Sequence, residues 1–427
     1  MSALIIVGLA ILFFALIMAS IALHEIGHLV PAKLFGVKVT EYFVGFGKRI
    51  WSMRRGETEY GLKWIPLGGY VRLVGMYPPA RPGQRRNWLA RMADDARAAE
   101  WDEITPADDG RLVYQQKTWK KIIIMLGGPA MNILLAFLIF LSINLFHGMA
   151  VSTTTVAAVS ECVVAANRSD TTCRDDDPPT PAREAGIQPG DEIVAFNQHE
   201  VSNWEQVSQL IRDNRDGEAR ITVLRGGERI ELPTVHTRLN HVPDQLDPTR
   251  TVEAGFLGVT PTREMRRGGP GETVDLMWTM TKQSTVALAS LPVRVYNVAA
   301  DMVTGKPRDV NSPLSIVGAS RIAGEIGADE SLSWGDKAAT WFSLLGSVNL
   351  FVALLNLVPL LPLDGGHIAG AIIEWLRRQW CKLRGKPDPG PLDTAKGLPM
   401  IFIVGGLLLI CGLVLIVADL VSPLQLQ

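Results

Sequence analysis

Three side chains able to hold and use a metal ion lie within five consecutive residues: His24, Glu25 and His28, in the stretch IALHEIGHLVPAKL at residues 21–34. On a helix, positions four apart share a face, so His24 and His28 can offer two imidazole nitrogens to one cation while Glu25 points to the adjoining sector. This is the arrangement of a zinc-activated water with a general base beside it. A pair of helix-end histidines, satisfied by headgroups or neighbours, is the other use of the same pattern. Position argues against it. The motif closes an apolar run that starts at Ala3, and a carboxylate beside two imidazoles at the rim of hydrocarbon is costly unless it serves a function. Zinc bound there would offset that cost.

A third ligand has to come from elsewhere in the chain. The stretch VNLFVALLNLVPLLPLDGGHIAG, residues 348–370, offers one. Asn349 and Asn356 are seven apart on one helical face, and Pro359 and Pro362 break the helix, freeing carbonyls that are tolerated at membrane depth only against protein or a wet cavity. Asp364 follows at once. Gly365-Gly366 lets the backbone come close. Two nitrogens and one carboxylate oxygen leave a fourth zinc position open for water, and Asp364 fits that role. His367, beyond the Gly-Gly turn, competes for it.

The elements that must bring these halves together are membrane helices. With 427 residues, 47% hydrophobic and 20% charged, and a positive mean hydropathy, the chain reads as a membrane protein carrying a soluble part. A net charge of −1 argues against a nucleic-acid partner. Apolar runs long enough to span, about 20 residues, fall at Ala3–Leu23, Ile122–Phe146, roughly Thr340–Leu361 and Leu398–Leu420, setting membrane segments at residues 1–36, 122–147, 340–366 and 398–420. The first lacks a basic start and runs straight into the His-Glu motif, so it is read as a retained helix rather than a secretory signal. Lysine and arginine flank the segment after the first span and crowd residues 367–397, whereas the tail at 421–427 has none. That bias sets both termini extracytoplasmic and the metal motif toward the cytoplasmic side.

Residues 37–80 alternate β-branched and aromatic residues between glycines and read as short strands packed on the membrane helices. An exposed strand edge near Gly45 and Gly47 is a candidate template for an extended substrate, with a purely structural hairpin the alternative. Residues 81–121 are polar, with a solvated helix from Asn87 to Trp101. Residues 148–262 contain a turn, a strand, an amphipathic helix and a hairpin turning at Gly226-Gly227. The A-G-I-x-P-G-D-E-I core there resembles the PDZ domain of bacterial membrane proteases, interrupted by a polar insert at residues 161–181 that leaves a steric filter at least as good a reading as ordinary capture of a peptide end. Cys162 and Cys173 lie close enough in this insert to bridge in an oxidising compartment, whereas Cys381 and Cys411 are expected to stay unpaired. Residues 263–339 read as amphipathic linker helices. The expected fold is thus a polytopic α-helical membrane protein of four transmembrane helices, with a cytoplasmic membrane-associated β-hairpin and one extracytoplasmic PDZ-like α+β domain.

HEIGH, the G-F-G and IPLGGYV strands, GGPAMN at residues 127–132, the PDZ-like segment and NLVPLLPLDGG together resemble the site-two protease family of intramembrane zinc metalloproteases, in its single-PDZ actinobacterial form. The resemblance covers nearly the whole chain. It implies one zinc ion held by His24, His28 and Asp364, Glu25 as general base and later proton donor, and Asn356 as a substrate contact; Asn132, closing GGPAMN, joins Gly45 and Gly47 among the substrate-side candidates. It also implies single-span membrane substrates such as anti-sigma factors, first shortened by an outer-side site-one-type protease, and a place in the lipid bilayer of a bacterial plasma membrane. Two other functions remain open from the residues alone: a membrane-anchored zinc protease for soluble or misfolded chains, and a non-catalytic PDZ scaffold.

Overall fold

A computed structural model describes residues 2–79, 88–101, 104–164, 172–247, 250–306, 308–309 and 311–424. They form two compact units, one of residues 1–142 with 273–427 and one of residues 143–272. Helix α1, Ser2–Leu34, opens the first. Its 33 residues rise about 50 Å, well beyond the hydrocarbon thickness of about 30 Å. Strands β1 (Val39–Arg55) and β2 (Thr58–Leu73) are long and irregularly paired. Tyr42 of β1 faces both Tyr60 and Val71, so the start of β1 is flanked on one side by the first part of β2 and on the other by its last five residues. Among the described residues no strand pairs with the outer edge of that last segment. The hairpin end carries exposed Trp51, Trp64, Ile65 and Leu67, which suits a lipid interface better than water.

Helix α2, Trp88–Trp101, is less solvated than its polar composition suggests. Its Glu100 accepts from the backbone N–H groups of Gly75, Met76 and Tyr77, and its buried Arg97 bridges Asp94 and Asp393. The expected start of this helix, Asn87, lies outside the described residues. Helix α3, Thr118–Phe146, completes this part.

The second unit begins with β3, Met149–Val159, followed by the one-turn helix α4, Pro181–Glu184, capped by Thr180. Then come β4 (Glu192–Phe196), β5 (His199–Glu200), α5 (Trp204–Asp213), β6 (Glu218–Ala219), β7 (Ile221–Arg225), β8 (Glu228–Glu231), β9 (Val235–His236), β10 (Arg238–Pro243), β11 (Thr251–Phe256) and β12 (Val259–Arg266). The main sheet runs β12-β3-β4-β7-β8, with β5 beside β4. Alternate residues Ile193, Ile221 and Val223 point inward and meet Val207 and Ile211 of α5, which buries one face of an amphipathic helix on one face of a sheet. Gly226 and Gly227 turn the β7-β8 hairpin with φ of +60° and +87°. Cys162 and Cys173 are joined in a disulfide. The sheet reaches Arg266, past the expected boundary at residue 262, because β12 pairs along β3 as far as Met149.

The first unit resumes in α6 (Pro270–Thr304), α7 (Ile316–Ala328), α8 (Trp334–Asn356), α9 (Asp364–Leu383) and α10 (Leu398–Val421). Among the described residues, five helices are long and apolar enough, by length and composition, to span a bilayer, α6 joining the four expected spans. Its charges Glu272, Asp275 and Lys282 precede an apolar middle and Arg294 and Asp301 follow it, which gives the whole an amphipathic look. Residues 367–397, expected as a basic loop, are helical up to Leu383. Phe13 and Ile17 of α1, Ala323 of α7 and Leu345 of α8 form a buried cluster. Since lipid is as apolar as leucine, close packing and polar links rather than exclusion of water hold such helices together. One such link is Asn349, which donates to Ser20 Oγ at 3.1 Å.

Candidate metal centre

The centre starts from a close crossing of α1 and α3. Gly27 meets Gly127, and a Cβ on either would overlap the other's carbonyl oxygen. Pro31 lacks the N–H that would bond the Gly27 carbonyl, so the helix is loosened where it is approached. Gly128 lies under the two imidazoles. A methyl group there would overlap His28 Nε2 and stand 2.6 Å from His24 Nε2. The glycine pair therefore sets both the helix separation and the room above it.

Across this crossing, His28 Nδ1 lies 2.7 Å from the carbonyl oxygen of Ile124. A carbonyl can only accept, so Nδ1 carries the proton and Nε2 of the neutral ring presents its lone pair. His28 Nε2 is 3.2 Å from His24 Nε2, and these atoms are 3.3 Å and 3.4 Å from Asp364 Oδ2. A regular zinc tetrahedron with bonds near 2.05 Å has edges of about 3.3 Å, so the three donor atoms span one face of it. Asp364 Oδ2 is buried and has no hydrogen-bond partner among the described residues. A buried carboxylate oxygen facing the His28 lone pair and a second imidazole nitrogen calls for a cation, and this donor set fits zinc.

Asp364 arrives from α9, of which it is the first residue. Gly365 and Gly366 press so closely on the backbone at Leu357 to Leu361 that a side chain on either would collide with it. Farther along α9, buried Glu374 binds Lys121 of α3 through both oxygens at 3.1 Å and accepts from Leu392 N–H at 3.0 Å. The helix bearing Asp364 is thereby tied to the helix whose carbonyl orients His28.

Glu25 stands beside the triad. It borders a cavity of about 600 Å³ that is also lined by Gly68 to Leu73, Asn356 and His367. A Cβ on Gly69 would come 3.1 Å from Glu25 Cγ, tighter than an ordinary contact, so glycine suits the close approach of the last segment of β2. Asn356 thus joins the ligands at one cavity. His367 lines it as well but is outside the trio His24, His28 and Asp364 whose donor atoms could hold a metal ion. Asn132 is 2% exposed, with its Oδ1 unpartnered among the described residues, and is not on the cavity wall. Gly45 and Gly47 are not there either: they have φ of +92° and +86° where β1 bends against Lys63 to Ile65. The strand that borders this cavity is instead the IPLGGYV segment, through Gly68 to Leu73.

Comparisons with known proteins agree with this chemistry. The sequence profile described as peptidase family M50 matches residues 12–387. The chain is 34% identical to the zinc metalloprotease Rip1 of Mycobacterium tuberculosis H37Rv, over 97% of this chain and 98% of that protein. Rip1 of Mycolicibacterium smegmatis is also 34% identical, over 98% of both chains. The zinc metalloprotease RasP of Shouchella clausii is 24% identical, over 86% of this chain and 90% of its own length.

Proposed function

The chain belongs to peptidase family M50, the site-two protease family of zinc metalloproteases, and from that premise we propose that it hydrolyses peptide bonds within the transmembrane segments of single-span membrane proteins. Zinc is held by His24, His28 and Asp364, and Glu25 is the general base. The observation that carries this reading is the mutual spacing of 3.2 to 3.4 Å among the three donor atoms, with Glu25 on the wall of the same cavity. Zinc, when bound, supplies a positive charge that polarises a carbonyl and brings the pKa of water toward ~7.

The protein's own groups do the rest. Glu25 accepts a proton from the attacking water and returns it to the leaving amine. A helical substrate hides its carbonyls in its own hydrogen bonds, so it unwinds before it is cut. The unpaired edge at Gly69 to Leu73 can take the extended segment by strand addition, and the Asn356 amide can satisfy a freed backbone group. The second unit, a sheet with a helix on one face, acts as a PDZ-like filter for what reaches the site. The protein works as a multi-pass component of a bacterial plasma membrane. Anti-sigma factors trimmed by an outer-side protease are the substrate class this arrangement suits, and four crossings, by α1, α3, α8 and α10, put both termini outside the cytoplasm.

Purified full-length protein given a single-span membrane peptide and, separately, an unfolded soluble protein tests the reading. Cleavage inside the apolar segment of the membrane peptide is expected. Turnover of the soluble chain with the membrane peptide left intact would overturn it in favour of a membrane-anchored protease of ordinary substrates.

A further inference from the structure

A second cavity lies away from the metal centre. About 480 Å³ in volume, it runs between the start of α3 and the middle of α9. The two helices are antiparallel here, because Lys121 pairs with Glu374 while Lys117, one turn back and just ahead of α3, and Arg378, one turn further along α9, line the same cavity. Both cations therefore fall at one end. Toward the other end the walls are Ile122 and Ile372, and between them stand Trp119 and Trp375, which are 51% and 47% exposed.

The charge is one-sided. Arg378 Nη2 is 3.2 Å from Glu374, which Lys121 already neutralises, and its Nε is 3.5 Å from Asp388. Lys117, and Arg377 and Lys382 on α9, form no ion pair among the described residues. A groove that is cationic at one end, apolar at the other and belted by indoles has the polarity of an anionic amphiphile, since tryptophan favours the level where headgroups meet acyl chains.

We infer that the α3–α9 groove is a binding site for an anionic phospholipid, with the phosphate at Lys117 and Arg378 and an acyl chain along Ile122, Ile372 and Trp375. The site has a route to the metal centre. Arg378 holds Glu374, Glu374 holds Lys121, and these helices carry Asp364 and the Ile124 carbonyl that orients His28. An occupied groove thereby steadies the register between the two halves of the centre.

The test uses delipidated full-length protein offered phosphatidylglycerol and phosphatidylcholine in equal amounts, with bound lipids counted by native mass spectrometry. Each matched cation contributes roughly a fivefold preference for the anionic lipid, so the wild type retains phosphatidylglycerol selectively and Lys117→Gln loses about that factor. Lys117 is exposed at a helix start, so this variant folds; Ile372→Asp, which blocks the apolar end, lowers retention of both lipids. Equal retention of the two lipids by the wild type, or an unchanged preference in Lys117→Gln, would overturn the inference. So would displacement of the lipid by excess inorganic phosphate, which would mark an anion site with no use for the acyl chain.

Discussion

His28 and Ile124 are joined across two helices, the imidazole Nδ1–H donating to the main-chain carbonyl at 2.7 Å. That bond turns Nε2 toward Asp364 Oδ2, 3.3 Å away. It exists only because α1 and α3 meet at glycines, so the metal centre depends on side chains that are absent as much as on those present.

Gly128→Ala tests this dependence. The added methyl group would collide with both imidazoles, and zinc affinity is expected to fall by roughly 10- to 100-fold, the usual effect of disturbing what orients a ligand. Competition with a chelator of known affinity measures it. Wild-type affinity in the variant would separate the crossing from the metal site.

Gly69→Ala acts on the base rather than the ligands. Its Cβ would lie 3.1 Å from Glu25 Cγ and 3.1 Å from the Phe43 carbonyl, so Glu25 has to give way by a few tenths of an ångström. A misplacement of about 1 Å costs on the order of 100-fold in rate, so this smaller shift is expected to cost roughly tenfold. Zinc content should stay at the wild-type level while kcat falls; a parallel loss of zinc would contradict the assignment.

How much of this could be read from the letters follows from the reach of each interaction. The HEIGH helix and LDGG turn are local patterns, and their meeting is suggested by what one lacks and the other offers. Gly128 and Gly69 carry no such label, because their reason is another segment far away in sequence. The helix α9 was hidden by Gly365-Gly366 at its start, residues that weaken an isolated helix; here they are held by packing on Leu357 and Leu360. The far end of β12 and the long helix α6 carry no local label for a related cause, since pairing to β3 and packing on α10 rather than local pattern define them.

Beyond the site, Arg308 and Asp419 form a buried pair at 2.5 Å, and Asp419 also accepts from Ser315 N–H at the start of α7. Removing one member leaves an unmatched buried charge, which costs about 3–5 kcal/mol. Asp419→Ala should lower the unfolding temperature in detergent markedly, and the double variant Arg308→Met/Asp419→Leu much less. Equal losses in the two would count against the pair.

Asp108 gives a pH signature outside the membrane helices. The Lys38 ammonium at 2.8 Å, aided by Thr105, lowers its carboxyl from 3.8 to about 2. A carboxyl lowered by folding adds stability that is complete above its unfolded value and disappears as the pH falls through its folded value. The stability gap between wild type and Asp108→Asn should hold constant above pH 3.8 and close toward pH 2. A gap independent of pH would show that the ion pair contributes nothing.

The central claim is that two imidazoles and a distant aspartate make one zinc site served by Glu25. Zinc per chain, measured by atomic emission on purified protein alongside cleavage of a single-span peptide, tests it most directly. One zinc in wild type and in Glu25→Gln, with cleavage lost by about 100-fold or more in the latter, and neither zinc nor cleavage in Asp364→Ala, is the predicted result. Full zinc occupancy in Asp364→Ala, or normal turnover by Glu25→Gln, would contradict it.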